Sequence, residues 1–525
     1  MLNYRRRKRQ ASENSKIIIE RFFHEIHIGK VLYPGNFHIC TEKALMDVIK
    51  KVKEYIQLRA ERIAPDWSIP IILEAIGKIY YGNQKDAIDC GTTFKRALVY
   101  LWNVKTFNYG KKNIESILEI LRLCYVIEHL YGLRRIFLID NEFAFTMKDG
   151  YCYLNDKHSA IVDQFAYLIQ GRGRRMRIAD ENSRLMCKNI LEFSDALLNV
   201  LNGKEPKDIL FFKGTFYEKI PGINNIECKK FWQGIFIRYM LFVNMSMEQI
   251  DEKEGEENIN PIVNIFSEFS INVPENLCTQ EIVNDIFWSM TWLENQDDER
   301  YSSLVVERPI LRITEDGDFA TCSALIGDSI NYFIEGQILN YALRSPKINL
   351  PTHIFKDVIS APFEDKVILE FRKKGFWAGH VSESGTWKIQ DQFIDLKCST
   401  IANLYGEIDA LAYMQGLNMA ILVECKVLND IRDYKSLKNI IAKIVDDSEG
   451  FQSKIEKKGK WVDEVLSKYF QKKVMAVYVL LTDIPLPIIG FPDDDIIFTY
   501  YDNFFSGLEQ VLNDYKNYIE KGDLV

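Results

Sequence analysis

The sequence predicts an α+β protein in two parts: a helix-rich region over residues 1–350 and an α/β domain over residues 351–525. Three observations predict it. Apolar residues recur at helical spacing through most of the first part. The stretch "RSPKINLPTH" (344–353) carries two prolines and reads as a linker. Beyond it, short apolar runs alternate with amphipathic patterns, the texture of an α/β domain of about 170 residues.

Taken in order, residues 1 to about 35 are polar and basic, and the extreme N-terminus reads as a loose tip. Thr41 is placed to cap a helix whose apolar face is Leu45, Val48, Ile49, Val52 and Ile56. Helical patterns follow near 68–81, 91–106 and 112–131. A β-hairpin is expected within 133–155, turning at Asp149-Gly150. Helices resume across 156–202 and 226–247, and the acidic "IDEKEGEENINP" (250–261) reads as a solvated loop. Two short strands are expected within 305–325 around Asp316-Gly317, then a helix over 326–343. In the second part, an amphipathic helix over 362–375 closes at Gly375, a good residue for a left-handed helix end. A strand, a loop and a hairpin at 406–427 follow. Then come helices at 433–447 and 452–470, strands at 473–483 and 495–501, and a last helix at 503–520.

Composition narrows the function. An apolar fraction of 47% with 27% charge is that of an ordinary soluble globular chain. No apolar run approaches the roughly 18 residues that cross a bilayer, so no membrane partner is expected. "MLNYRRRKRQ" is basic but leads into no apolar stretch, so no secretory signal is read and a cytoplasmic setting is expected. The ten cysteines are scattered with no CxxC pair, which points to free thiols rather than structural zinc. The net charge of −8 excludes coating of nucleic acid by bulk charge, so any such contact needs a local patch. No GxxxxGK[ST] motif is present, so the chain has no P-loop ATPase of its own.

The hairpin "GEIDALAYMQGLNMAILVECKV" (406–427) carries the strongest chemical signal. Glu424 and Lys426 close an otherwise apolar strand, where charge is expensive unless paired or used. Two residues apart, they share a face, while Cys425 points the other way and reads as a packing residue. If Gln415–Asn418 forms the turn, Asp409 lies directly opposite Glu424, with Cβ atoms roughly 4.5–5.5 Å apart. Two carboxylates that close repel unless a cation intervenes. Lys426 supplies part of that balance, and a hard divalent cation on Asp409 and Glu424 would supply the rest. Mg²⁺, or Mn²⁺ in its place, suits attack on a phosphodiester.

"GEIDALAY" followed by "AILVECK" resembles the PD-(D/E)xK, or restriction-endonuclease-like, nucleases. The upstream "FEDKVILEFRKKGF" resembles the first helix of Mrr-type and Holliday-resolvase-like members. The resemblance covers roughly residues 355–485 and implies an αβββαβ core with metal-dependent phosphodiester hydrolysis. It implies that Asp409 and Glu424 are the catalytic acids and metal ligands, Lys426 the catalytic lysine, and Glu364 the helix glutamate. Glu370 and Glu407 are alternatives to Glu364. The residue before Asp409 is Ile408, where the motif has proline.

Other residues extend the expectation to a substrate. Gln452, Lys454 and Lys457 lie on the helix after the hairpin and are candidate phosphate contacts. Arg172, Arg174, Arg175 and Arg177 in "QGRGRRMR", and the N-terminal "RRRKR" (5–9), are candidate nucleic-acid contacts or solvated charge. His380 reads as a packing residue. The expected function is a Mg²⁺-dependent endonuclease acting on nucleic acid, DNA first and RNA as the alternative. By analogy it is a restriction or phage-defence effector restrained by its helical region, with a regulatory or ATPase partner and self-association left open. The contrary reading is a binding protein that keeps the fold without turnover.

Overall fold

The computed structural model describes residues 2–29, 33, 35–82, 84–102, 110–170, 189–251, 263–267, 280–284, 286–288, 293, 297–314, 317–338, 352–396, 404–428, 433–445, 450–483, 485 and 496–520. The chain is α+β, with most helices in its first part and a seven-stranded mixed sheet near its C-terminus.

The basic N-terminus is a long helix, α1 (Leu2–His27), and not a loose tip. Its Ala11, Ile18 and Phe22 are buried at helical spacing. Two of its basic residues are tied down: Arg7 pairs with Asp318 at 2.7 Å and Lys8 donates to Asn264 at 3.0 Å. Arg5, Arg6 and Arg9 of the run at 5–9 are exposed. The helices α2 (Glu42–Ala60), α3 (Pro65–Gly82), α4 (Gln84–Trp102) and α5 (Ile114–Ile136) pack with α1 around one core. Thr41 caps α2 by accepting from the Ala44 amide, and Leu45, Val48, Ile49, Val52 and Ile56 are all buried, as expected.

The helix α5 runs beyond the expected end at 131 because Leu133 and Ile136 remain in the core while Arg134 and Arg135 find carboxylates. The hairpin is therefore shorter than 133–155. It comprises β2 (Phe145–Lys148) and β3 (Tyr151–Tyr153), with Asp149 and Gly150 both at positive φ in the two-residue turn. A strand that the sequence pattern did not reveal, β1 (Phe37–Ile39), pairs with β2.

The helices α6 (Asp156–Gln170), α7 (Ile190–Leu201) and α8 (Ile226–Asp251) follow. Arg172, Arg174, Arg175 and Arg177, the acidic stretch at 252–261, Asp316 and most of the proline-bearing linker lie outside the described residues. A small sheet joins β4 (Val263–Phe266), β6 (Phe319–Cys322) and β5 (Leu311–Arg312) in that order. The helices α9 (Gln280–Asn284), α10 (Tyr301–Glu307) and α11 (Ser323–Ile338) belong to the same stretch of chain, and α1, α3 and α11 pack against the sheet. The β-structure expected over 305–325 is thus confined to its middle. Residues 305–307 belong to α10, where Val305 and Val306 are buried on a helical face.

The second part opens with α12 (Thr352–Phe355), which passes through a π-turn at Lys356–Ser360 into α13 (Ala361–Lys373). Gly375, at φ 88°, follows the end of α13 as expected. The strands are β7 (Trp377–Val381), β8 (Thr386–Ile389), β9 (Gln392–Asp395), β10 (Ile408–Met414), β11 (Met419–Lys426), β12 (Met475–Thr482) and β13 (Ile496–Tyr500). Their order is β13-β12-β11-β10-β7-β8-β9. The β11–β12 and β12–β13 pairs are parallel and the rest antiparallel. The parallel β11–β12 pair needs a long crossover, supplied by α14 (Tyr434–Val445) and α15 (Phe451–Phe470). A last helix, α16 (Tyr501–Glu520), closes the chain.

Alternation along the strands builds two cores. Leu411, Tyr413, Ala420, Leu422 and Leu480 face α14 and α15. Ala410, Ala412, Ile421, Val423, Cys425, Val479 and Leu481 face α13 and α16. Along the chain α13 is followed by β7, the β8–β9 hairpin, β10 and β11, then by α14 and α15, the parallel strands β12 and β13, and α16.

The two parts are joined by packing and by charge. Ile354 and Val358 complete a core formed by Phe193, Phe231, Trp232 and Phe333 of the first part. Glu299, 3% exposed, accepts from Arg134 at 3.0 Å, Arg135 at 3.1 Å and the Tyr434 amide at 3.0 Å. The Tyr434 hydroxyl donates to Glu42 at 2.9 Å, and Arg134 stacks on its ring at 4.2 Å. Removing the carboxylate would take acceptors from Arg135, from the Tyr434 amide and from Arg134, which keeps Glu42 as its other partner. Glu299→Ala should therefore lower stability by about 1.5–3 kcal/mol, measured by urea unfolding of the full chain. A loss below about 1 kcal/mol, the level of an exposed pair, would show that this cluster does not tie the parts together.

Candidate functional site

The β10–β11 register places Ala410 opposite Val423 and Met414 opposite Met419, so Asp409 sits beside Glu424 as the turn geometry predicts. The turn is a single 3₁₀ turn at Gln415–Leu417, and Asn418 takes the left-handed conformation that asparagine tolerates. Glu424 is 5% exposed and is the charged residue at the inner end of a fully buried run.

Three oxygens surround the Lys426 ammonium. It lies 2.6 Å from Glu424 Oε1 and 3.3 Å from Asp409 Oδ2, and donates to the Cys425 carbonyl at 3.1 Å. Asp409 Oδ2 also accepts from the Cys425 amide at 2.8 Å. The repulsion expected between Asp409 and Glu424 is thus already offset by a cation of the chain itself. A second cation, absent from the sequence reading, completes the set. Lys458 on α15 donates to Glu424 Oε2 at 2.6 Å and is 6% exposed. Its signal was in the pattern: Ile455, Lys458, Val462 and Val465 lie on one helical face, so a lysine interrupts an apolar stripe.

The electrostatics divide the three acids. Burial pushes Glu424 up, but Lys426 and Lys458 together pull it below the usual carboxylate range. Asp409 ends above its usual range, because burial and Glu424 outweigh Lys426. Burial and then the neighbouring Asp409 push Glu364, at the start of α13, up to about 8. Glu364 therefore reaches the cluster electrostatically, and so does its alternative Glu407, which feels Lys458 and His380. Glu370 pairs with Lys373 at 3.1 Å, and the exposed Glu407 pairs with Lys356 at 2.8 Å.

His380 is not the packing residue expected. It is half-exposed, 3.2 Å from Asp365 and 3.8 Å from Glu364, at the rim of the cluster. Cys425 is buried among the residues facing α13, as expected. Gln452, Lys454 and Lys457 lie on the first two turns of α15. Lys457 is exposed and sits over the Tyr405 ring at 4.9 Å, and Phe451 lies 5.5 Å from the Lys426 ammonium.

Two carboxylates and a carbonyl are oxygen donors of the kind that a divalent cation takes. Mg²⁺ takes one or two carboxylates together with waters and substrate phosphate. Asp409, Glu424 and the Cys425 carbonyl already form an all-oxygen cradle around an ammonium ion. Among the described residues, no group of three or more His, Cys, Asp and Glu side chains is gathered as a metal cluster. Any such ion therefore rests on this smaller set. No helix among the described residues is long and apolar enough to cross a membrane, and Cys40, Cys124, Cys152, Cys228, Cys322 and Cys425 are free thiols.

Compared with protein-family models, curated proteins and solved structures, the chain matches none of them.

The elevated Glu364 has a measurable signature. From the ordinary carboxylate range up to about 8, the folded protein keeps a proton that the unfolded chain has released. Folding takes up that proton, so stability falls as pH rises through this window. The stability of the native chain relative to Glu364→Gln should decline across it in pH-dependent denaturation. A flat difference would show that Glu364 titrates normally.

Proposed function

We propose that the cluster is the active site of a metal-dependent nuclease, with DNA the first substrate to test. The observation that carries this reading is the all-oxygen cradle of Asp409, Glu424 and the Cys425 carbonyl, with Lys426 inside it. It agrees with the resemblance of "GEIDALAY…AILVECK" to PD-(D/E)xK nucleases. Asp409 and Glu424 would hold a divalent cation, which when bound supplies charge to lower the pKa of a water and to offset the phosphoryl oxygens.

The chain's own residues divide the remaining work. Burial weakens the hold of Lys426 on its proton, but Asp409 and Glu424 strengthen it more, so the residue remains an ammonium ion. It serves as a fixed charge that orients the attacking water and stabilises the developing negative charge. Glu364, titrating near neutrality, is the carboxyl group suited to exchange a proton there. Gln452, Lys454 and Lys457 extend the same end of the sheet toward a phosphate backbone.

A second reading, a structural ion-pair network without turnover, is favoured by one observation: both Glu424 oxygens are taken by lysines. The two are separated by incubating purified protein with supercoiled plasmid, linear DNA and RNA in Mg²⁺, Mn²⁺ or EDTA. The nuclease reading expects cleavage that EDTA stops and that Asp409→Asn, Glu424→Gln and Lys426→Met each reduce by roughly 100-fold or more. Cleavage of RNA alone would move the substrate to RNA. No cleavage in any metal, or equal cleavage by the variants, would leave the ion-pair network.

A further inference from the structure

Lys458 differs from Lys426 in how firmly it is held. The helix that carries it lies hard against β12. A Cβ at the adjacent Gly459 would stand 2.5 Å from the Tyr478 ring, so only glycine permits this approach. Tyr478 also donates from its hydroxyl to Asp463, one turn further along the same helix. Ile455 and Val462 on either side of Lys458 are fully buried. With the helix pinned and the ammonium enclosed, Lys458 has no route away from Glu424 short of moving α15. Lys426, by contrast, ends its strand with a quarter of its side chain exposed.

The charges are balanced before any metal arrives. Asp409 and Glu424 carry two negative charges, and Lys426 and Lys458 two positive ones. A divalent cation can displace the more exposed ammonium, that of Lys426, from Asp409 and Glu424 Oε1. It cannot take Glu424 Oε2, which stays with Lys458. We propose that Lys458 is a positioning residue that acts as a built-in cation behind Glu424, limiting the site to a single divalent ion and holding down its affinity for that ion. This rests on the reading of Asp409 and Glu424 as metal ligands, and it assigns to α15 a role in metal stoichiometry.

The test is titration of Mn²⁺ into the full-length protein, followed by calorimetry and by the paramagnetic resonance of bound ion, for the native chain, Lys458→Met, Lys458→Arg and Asp409→Asn. The native chain is expected to bind one Mn²⁺ per chain, and Asp409→Asn to lose it. Removing one positive charge beside the cradle should tighten binding about tenfold or more in Lys458→Met, or admit a second ion. Lys458→Arg, which keeps the charge, should behave as the native chain does. One ion in the native chain with unchanged affinity and stoichiometry in Lys458→Met would overturn the inference and leave the metal-site reading standing. No ion in the native chain would overturn both. Two ions bound to the native chain would overturn the inference by itself, whether or not Lys458→Met folds.

Discussion

A carboxylate buried at the end of an apolar strand sets the terms for the C-terminal part of the molecule. Glu424 cannot stay ionised there without cations, and it has two, one on each oxygen. The first comes at no topological cost, since Lys426 is two residues along the same strand and shares its face. The second must come from another element. That requirement is met by the crossover between the parallel strands β11 and β12, whose second helix lies over the sheet with Lys458 inward. The glycine at 459 brings the helix close enough for the contact. Sheet topology, helix approach and charge balance are therefore one arrangement seen at three scales.

The helical region is bound into that arrangement. The Tyr434 amide and hydroxyl reach Glu299 and Glu42, so the start of α14 is fastened to α2, α5 and the 3₁₀ turn at Asp298–Arg300. The same helix leads into α15 and Lys458. A displacement of the helical region would thus pull on the element that holds Glu424.

How much of this was legible depended on the range of the interaction. The β10–β11 register could be read because its turn is local and its two strands alternate cleanly around Gln415–Asn418. The cap at Thr41, the turn at Asp149-Gly150 and the glycine at 375 were legible for the same reason: each is decided within a few residues. The helix α1 was hidden by its charge. Its buried face is narrow, and Tyr4 and Arg7 find their partner, Asp318, more than 300 positions away. The strand β1 has only three residues, too few for a period to show. Lys458 looked like one lysine among several in "KIEKKGKW", and only its place on the apolar stripe set it apart. His380 was misjudged because its neighbours, Glu364 and Asp365, belong to a different element.

The shared second core has a consequence for how the chain is made. Synthesis runs from the N-terminus, so Phe193, Trp232 and Phe333 leave the ribosome before Ile354 and Val358 exist. Until those two side chains arrive, that core stays open on one side. Glu299 likewise waits for Tyr434, which is 135 positions further along. The nascent helical region is thus a partly built cradle. The strands bearing Asp409 and Glu424 are translated after it, and after the two side chains that close its core.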